Sequence, residues 1–210
     1  MRIFRMPIWL HRIYPRYIWR IPTQQQHLYL SFDDGPDPEV TLYVLDLLDK
    51  YNAKATFFCV GDNISRFPEI FREILNRGHK VGNHTHHHLK GWSTKWNDYR
   101  ADIEKCQNMM GPISDYPLFR PPYGRIQSSQ GKKLITMGYS CIMWDILSYD
   151  YDKRLNIPVA LKRIIQGSRP GSIVVFHDSQ KAKNQLKQLL PAYLREMTNR
   201  GYRFHYIPNK

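Results

Sequence analysis

The sequence predicts an α/β fold, a parallel sheet joined by helical crossovers, and three observations lead there. From Asp37 onward the apolar residues alternate between a helical period and short strand-like runs, the pattern that crossovers between parallel strands impose. A chain of 210 residues can bury one sizeable core, and it matches the length of a single (β/α) barrel. Polar clusters fall at the ends of the apolar runs, which is where α/β folds collect their chemistry. Periodicity alone does not separate closure into a barrel from an open sheet.

The chain divides into a basic, aromatic arm at residues 1–26 and a domain at residues 27–210. In Met1 to Pro22, five arginines interleave with Trp9, Tyr14, Tyr17 and Trp19. Ile3, Met6, Leu10, Ile13, Tyr14, Tyr17, Ile18 and Ile21 recur at helical spacing, which would suit an amphipathic segment on an anionic membrane. Pro15 would break that helix in its middle, which favours an irregular arm packed across the outside of the domain. A cleavable signal peptide needs an apolar core of about 7–15 residues. The longest apolar stretch here is Met6–Leu10, interrupted by Pro7, so a cytoplasmic or peripheral membrane-associated location is expected.

Within the domain, Leu28–Asp33 reads as a strand that ends in two carboxylates, Asp33 and Asp34, before the Gly35-Pro36 turn. Val40, Tyr43, Val44, Leu47, Leu48 and Tyr51 mark a helix face, and Ala55–Val60 a buried strand. Ile64 to Leu75 reads as one helix stopped by Arg77-Gly78, followed by a strand at Lys80–Asn83 and a helix from Asn97 to Met110. Leu118-Phe119 starts a strand, Ser128–Met137 is helical, Tyr139–Trp144 is a strand and Pro158–Gln166 a helix. Ser172–Phe176 is apolar enough to be covered on both faces. A last helix, or a pair split at Pro191, precedes a closing strand at Arg203–Ile207.

Lys and Arg number 31 against 18 Asp and Glu, a formal charge of +13 that suits a polyanionic neighbour. The charges are scattered and the aromatics form no stacking motif, so nucleic acid is not expected as a partner. Cys59, Cys106 and Cys141 are odd in number and lack paired spacing, which predicts reduced core thiols.

Five clusters carry the chemistry. The Asp33-Asp34 pair stands at a strand end. The His84-Thr-His-His-His88 run offers imidazoles to a borderline metal, and an Asp with two His leaves coordination positions open for water and substrate. Such a run can also be a solvated surface tract. Arg120-Pro-Pro-Tyr-Gly124 is a rigid loop whose guanidinium either makes a surface ion pair or sits beside a carboxylate and keeps it ionised. Trp144 to Tyr151, containing Asp150, is the fourth. The fifth, Val175-Phe-His177-Asp178, puts a histidine at the rim that holds the Asp pair.

In this order, from about residue 27 to the C-terminus, the clusters resemble the polysaccharide deacetylases, the NodB-homology or carbohydrate esterase family 4 proteins. The resemblance implies a distorted (β/α) barrel with fewer than eight repeats, seven-stranded. It implies a metal site of Asp34, His84 and His88 taking a divalent ion, with zinc expected and cobalt, nickel or manganese possible. Asp33 would be the general base and Arg120 its contact, the Tyr123 backbone N–H would hold the oxyanion, and Asp150 would pair with His177, the general acid. The substrate would be an N-acetylated glycan or amino sugar, its pocket walled by Trp144, Tyr151 and Val175. Ser31 replaces the usual Thr, Tyr151 a Trp, Leu147 an Asp and Val175 a Leu. These departures alter the wall of the acetyl pocket more than the catalytic atoms. Two other readings remain at this stage: hydrolysis of another non-peptide C–N bond, and an inactive glycan-binding or membrane-associated scaffold.

Overall fold

The computed structural model describes residues 2–111 and 117–209. Met1 and Lys210, the outermost residues of the arm and the domain, lie outside the described residues. The elements in chain order are α1 (Ile8–Ile13), β1 (His27–Asp33), α2 (Val40–Lys50), β2 (Thr56–Cys59), α3 (Gly61–Arg66) and α4 (Pro68–Asn76). Next come β3 (Lys80–Asn83), α5 (Trp96–Met110), β4 (Leu118–Phe119), α6 (Ser128–Thr136) and β5 (Ser140–Cys141). The chain ends through β6 (Ile146–Leu147), α7 (Ile157–Gly167), β7 (Ile173–His177), α8 (Lys183–Asn199) and β8 (Arg203–His205).

Seven strands pair in the order β5-β4-β3-β2-β1-β7-β6, all parallel, and β8 attaches to the first half of β1. The sheet is distorted and open, curled into a half-barrel, as the predicted barrel of fewer than eight repeats requires. Side chains of a strand alternate between faces. Leu28, Leu30 and Phe32 of β1 therefore join Val44, Leu48, Leu186, Leu190 and Tyr193 in the main helix-covered core, while Tyr29, Ser31 and Asp33 take the other face. Because every ladder is parallel, all strand C-termini share one rim.

Three sequence expectations need correction, and the open alternative at Pro191 is resolved. The helix read over Ile64–Leu75 is two, α3 and α4: Phe67 is non-helical (φ −134°, ψ 57°) and Pro68 opens the second, where its missing N–H is not needed. The strand read over Tyr139–Trp144 pairs with β4 only at Ser140 and Cys141, and beyond that the chain bonds to the arm; β6 behind it was not expected at all. Pro191 does not split α8, which buries Leu186, Leu189, Leu190, Tyr193, Leu194 and Met197 along one continuous helix. The closing strand ends at His205, and the Ile207 N–H instead donates to Thr56 Oγ1 at 2.9 Å.

The arm bridges the two free edges of the sheet. On the β6 side, Met6 N–H donates to Asp145 O (2.8 Å) and Phe4 O accepts from Leu147 N–H (2.9 Å). Beside β5, Ile18 N–H donates to Cys141 O (2.9 Å) and Ile18 O accepts from Met143 N–H (2.8 Å). Tyr17 and Trp19 are buried against Tyr139 and Met143. Arg5, Arg20 and Arg169 surround the fully buried Asp145 at 3.4–3.6 Å, and Ser172 Oγ donates to it at 2.7 Å. All three cysteines are buried and unbridged.

Candidate active site

Asp33 ends β1 directly opposite His177, which ends β7 in the adjoining ladder, so the register of one strand pair sets these two groups side by side. Asp34 follows in a left-handed turn (φ 81°), which brings its carboxylate back toward the same rim. The turn is crowded: a Cβ on Gly35 would lie 2.1 Å from Asp178 Oδ2, so only glycine lets the chain pass. Asp178 is buried behind it, accepting from Gly35 N–H (3.2 Å) and Thr41 Oγ (2.6 Å), and burial raises its pKa well above the carboxylate range.

His84 follows β3 and is buried. Its Nδ1 lies 2.7 Å from the Arg120 carbonyl, which can only accept; Nδ1 thus carries the proton and Nε2 is left with its lone pair. Burial draws the His84 pKa down to about 4, against the pull of Asp33, so the ring is neutral as a ligand must be. His84 Nε2 and His88 Nε2 stand 3.7 and 3.2 Å from Asp34 Oδ1, and His88 Nδ1 is 3.1 Å from the Tyr123 hydroxyl. Burial raises the Asp34 pKa, but the hydrogen bond from His88 and nearby imidazoles outweigh it and hold the carboxylate far below its usual range. The ligand atoms of Asp34, His84 and His88 all lie within 4.8 Å of one another. One carboxylate oxygen and two imidazole nitrogens at this spacing fit a divalent ion with open positions.

His86 and His87 do not join this group. Asp102 of α5 accepts from both of their N–H groups (2.8 and 3.0 Å) and contacts the His87 ring at 2.5 Å, which pins the loop so that His84 and His88 face the rim. Thr85, His88 and Tyr123 share positive φ (63°, 56° and 60°) with Asp34; such conformations concentrate where geometry is over-determined by its surroundings.

The remaining predicted residues arrive in two pairs. Arg120 follows β4 and is fully buried, donating to Asp33 Oδ1 (2.6 Å), Ser31 Oγ (2.8 Å) and the Met143 carbonyl (3.1 Å), with its guanidinium 4.0 Å from the Phe58 ring centroid. Asp150, also fully buried, accepts the His177 backbone N–H (2.8 Å) and contacts its Nδ1 (2.7 Å). Burial disfavours the imidazolium, but the adjacent Asp150 carboxylate outweighs it and the pKa rises to about 9. Tyr151 packs edge-on to this ring at 4.8 Å.

These groups surround a cavity of about 700 Å³ whose wall includes Trp144, Leu147, Tyr151 and Val175, with Tyr123 exposed at its mouth. Every site residue predicted from the sequence is thus at one rim, with Arg120 and Asp150 behind the cavity wall. Sequence reasoning missed three cations at the mouth, each over an aromatic ring: Lys90 above Tyr123 (4.9 Å), Arg125 above Trp92 (5.4 Å) and Lys181 above Tyr151 (5.2 Å). Their signal was their position, one to four residues past His88, Gly124 and His177. Asp102 and Asp178 were also given no role.

Known proteins resemble this chain in sequence and fold. The polysaccharide deacetylase family profile matches residues 20–142. A peptidoglycan-N-acetylglucosamine deacetylase of Bacillus cereus is 33% identical over 191 residues, covering 89% of this chain and 88% of the relative. The crystal structure of the Bc1960 peptidoglycan N-acetylglucosamine deacetylase superposes with a TM-score of 0.82 at 29% identity, over 97% of this chain and 95% of that one. A carbohydrate esterase family 4 pseudoenzyme from Bacillus anthracis, 23% identical, shares the fold with a TM-score of 0.78 over 90% of this chain and 66% of its own. Fold alone therefore does not decide activity, whereas the site residues and the sequence relationship converge: the chain belongs to the polysaccharide deacetylase family.

Proposed function

We propose that this protein is a metal-dependent hydrolase that removes N-acetyl groups from the amino sugars of a glycan, with zinc as its metal. The observation that carries the reading is the convergence of Asp34, His84 and His88 between an Asp33–Arg120 pair and a His177–Asp150 pair. When bound, a divalent ion supplies Lewis-acid polarisation of the acyl oxygen and lowers the pKa of a water at the site. The chain's own groups do the rest. Asp33, held in place by Arg120, takes a proton from the water as its oxygen attacks the acetyl carbon. The Tyr123 backbone N–H donates to the carbonyl oxygen as negative charge develops there, a contribution of about 3–4 kcal/mol per donor in comparable sites. His177, kept protonated by Asp150, gives its proton to the sugar nitrogen as the C–N bond breaks, and acetate and a free amine leave.

Two of the relatives named above are peptidoglycan-N-acetylglucosamine deacetylases, and the basic mouth formed by Lys90, Arg125 and Lys181 supports a carboxylate-bearing glycan of that kind. The test is acetate release from chitin oligomers, peptidoglycan fragments and N-acetylated monosaccharides, with chelator and with zinc restored. Release that chelator abolishes and zinc restores is expected. No release from any substrate would refute the deacetylase reading. The Asp33→Asn variant is expected to retain metal and lose about 10²–10⁴-fold in turnover. Unchanged turnover would remove Asp33 from the base role.

A further inference from the structure

Five of the large apolar side chains exposed on this protein lie within residues 3–14. On α1, Ile8, Trp9 and Ile13 are 53, 58 and 58% exposed, and no residue of the helix is buried. Leu10 and His11 point the other way, Leu10 packing beside the cluster of Tyr17, Trp19 and Met143 and His11 stacking on Trp19 at 5.1 Å. The helix thus faces solvent with its more apolar side, and the docked arm holds it there.

The arm's own charge has one sign. No acidic residue precedes Asp33, whereas the same stretch carries five arginines. Arg2, Arg5 and Arg20 are committed to Asp152 and Asp145. Arg12 and Arg16 are exposed beside Ile13, and among the described residues neither has an ion-pair partner. An apolar surface flanked by unpaired guanidinium groups on flexible stems matches the acyl–headgroup boundary of an anionic bilayer. A second copy of the chain fits poorly, because its own Arg12 and Arg16 would be brought against these. Among the described residues, no helix is long and apolar enough to cross a membrane.

We propose that α1 and the turn after it form a peripheral membrane-docking surface, with Ile8, Trp9 and Ile13 entering the interface and Arg12 and Arg16 contacting anionic headgroups. This surface is separate from the cavity, and the proposal stands whether or not the deacetylase reading does.

The test is flotation of the full chain with vesicles of phosphatidylcholine alone and of phosphatidylcholine mixed with phosphatidylglycerol, at low and high salt. Flotation with the mixed vesicles, weakened by salt, is expected. The Arg12→Ser/Arg16→Ser variant should bind about fivefold more weakly per arginine removed. The Ile8→Ser/Trp9→Ser/Ile13→Ser variant should lose on the order of a hundredfold, with the far-UV circular dichroism and the urea midpoint nearly unchanged because these side chains already face water. Three results would overturn the proposal: no flotation with anionic vesicles, flotation that survives the triple substitution, or a wild-type dimer that the triple substitution dissociates without any vesicle binding.

Discussion

Asp150 acts on His177 from two directions, fixing its backbone through one oxygen and its Nδ1 through the other. Burial alone would favour the neutral ring, so the carboxylate decides the protonation state. With a pKa of about 9, His177 is protonated through neutral pH, and activity should fall as pH rises past that value. In Asp150→Asn the counter-charge is gone and burial dominates, so the alkaline limb of the rate profile should move below neutral pH. A profile of turnover against pH in both proteins checks this, and an unmoved limb would argue against His177 as the acid. At this scale much was legible in advance. Adjacent Asp33-Asp34 and the His84–His88 spacing are local in sequence, and each strand end must reach one rim in a parallel sheet. The work of Asp102, which settles which histidines face the cavity, is a contact across 15 residues that no local pattern records.

The elements that sequence periodicity located well are those stabilised by their own apolar faces: β1, α2, α5 and β7 each bury a continuous set of side chains. The short strands β4, β5 and β6 are two residues each, and two residues have no period. Their place depends on neighbours, and for β5 and β6 the neighbour is the arm. Gly171 sits at the crossing where the arm passes closest: its φ is +86°, and a Cβ there would meet Ile21 O at 2.1 Å. Ile21 N–H donates to Gly171 O at 2.9 Å in the same crossing, so the two backbones cannot separate without losing that bond. Gly171→Ala should therefore destabilise the protein by roughly 2–3 kcal/mol, read as a lowered urea midpoint. A midpoint equal to the wild type's would mean that the arm yields at no cost and does not hold the sheet edges.

Across the whole molecule, a charge of +13 is distributed by task rather than evenly. Arg5, Arg20 and Arg169 gather round buried Asp145, where they bind the arm to the domain. Lys90, Arg125 and Lys181 stand at the mouth of the cavity, each over an aromatic ring, and among the described residues no carboxylate pairs with them. The carboxylates that line the cavity, Asp33 and Asp34, are already engaged by Arg120 and by His88 and His84. The mouth should thus attract a negatively charged glycan over a neutral one of the same length. Exposed charges act over about 10 Å at 0.1 M salt and over about 3 Å at 1 M. Raising salt should therefore increase KM for a carboxylate-bearing peptidoglycan fragment and leave KM for a neutral chitin oligomer nearly unchanged. Replacing the three cations together, Lys90→Gln, Arg125→Gln and Lys181→Gln, should raise KM for the acidic substrate about tenfold, since each exposed pair is worth about 0.2–1 kcal/mol. Turnover at saturation should be retained, because none of the three touches the Asp34–His84–His88 group or either proton-transfer pair. Equal KM changes for the acidic and neutral substrates would show that the rim contributes shape rather than charge.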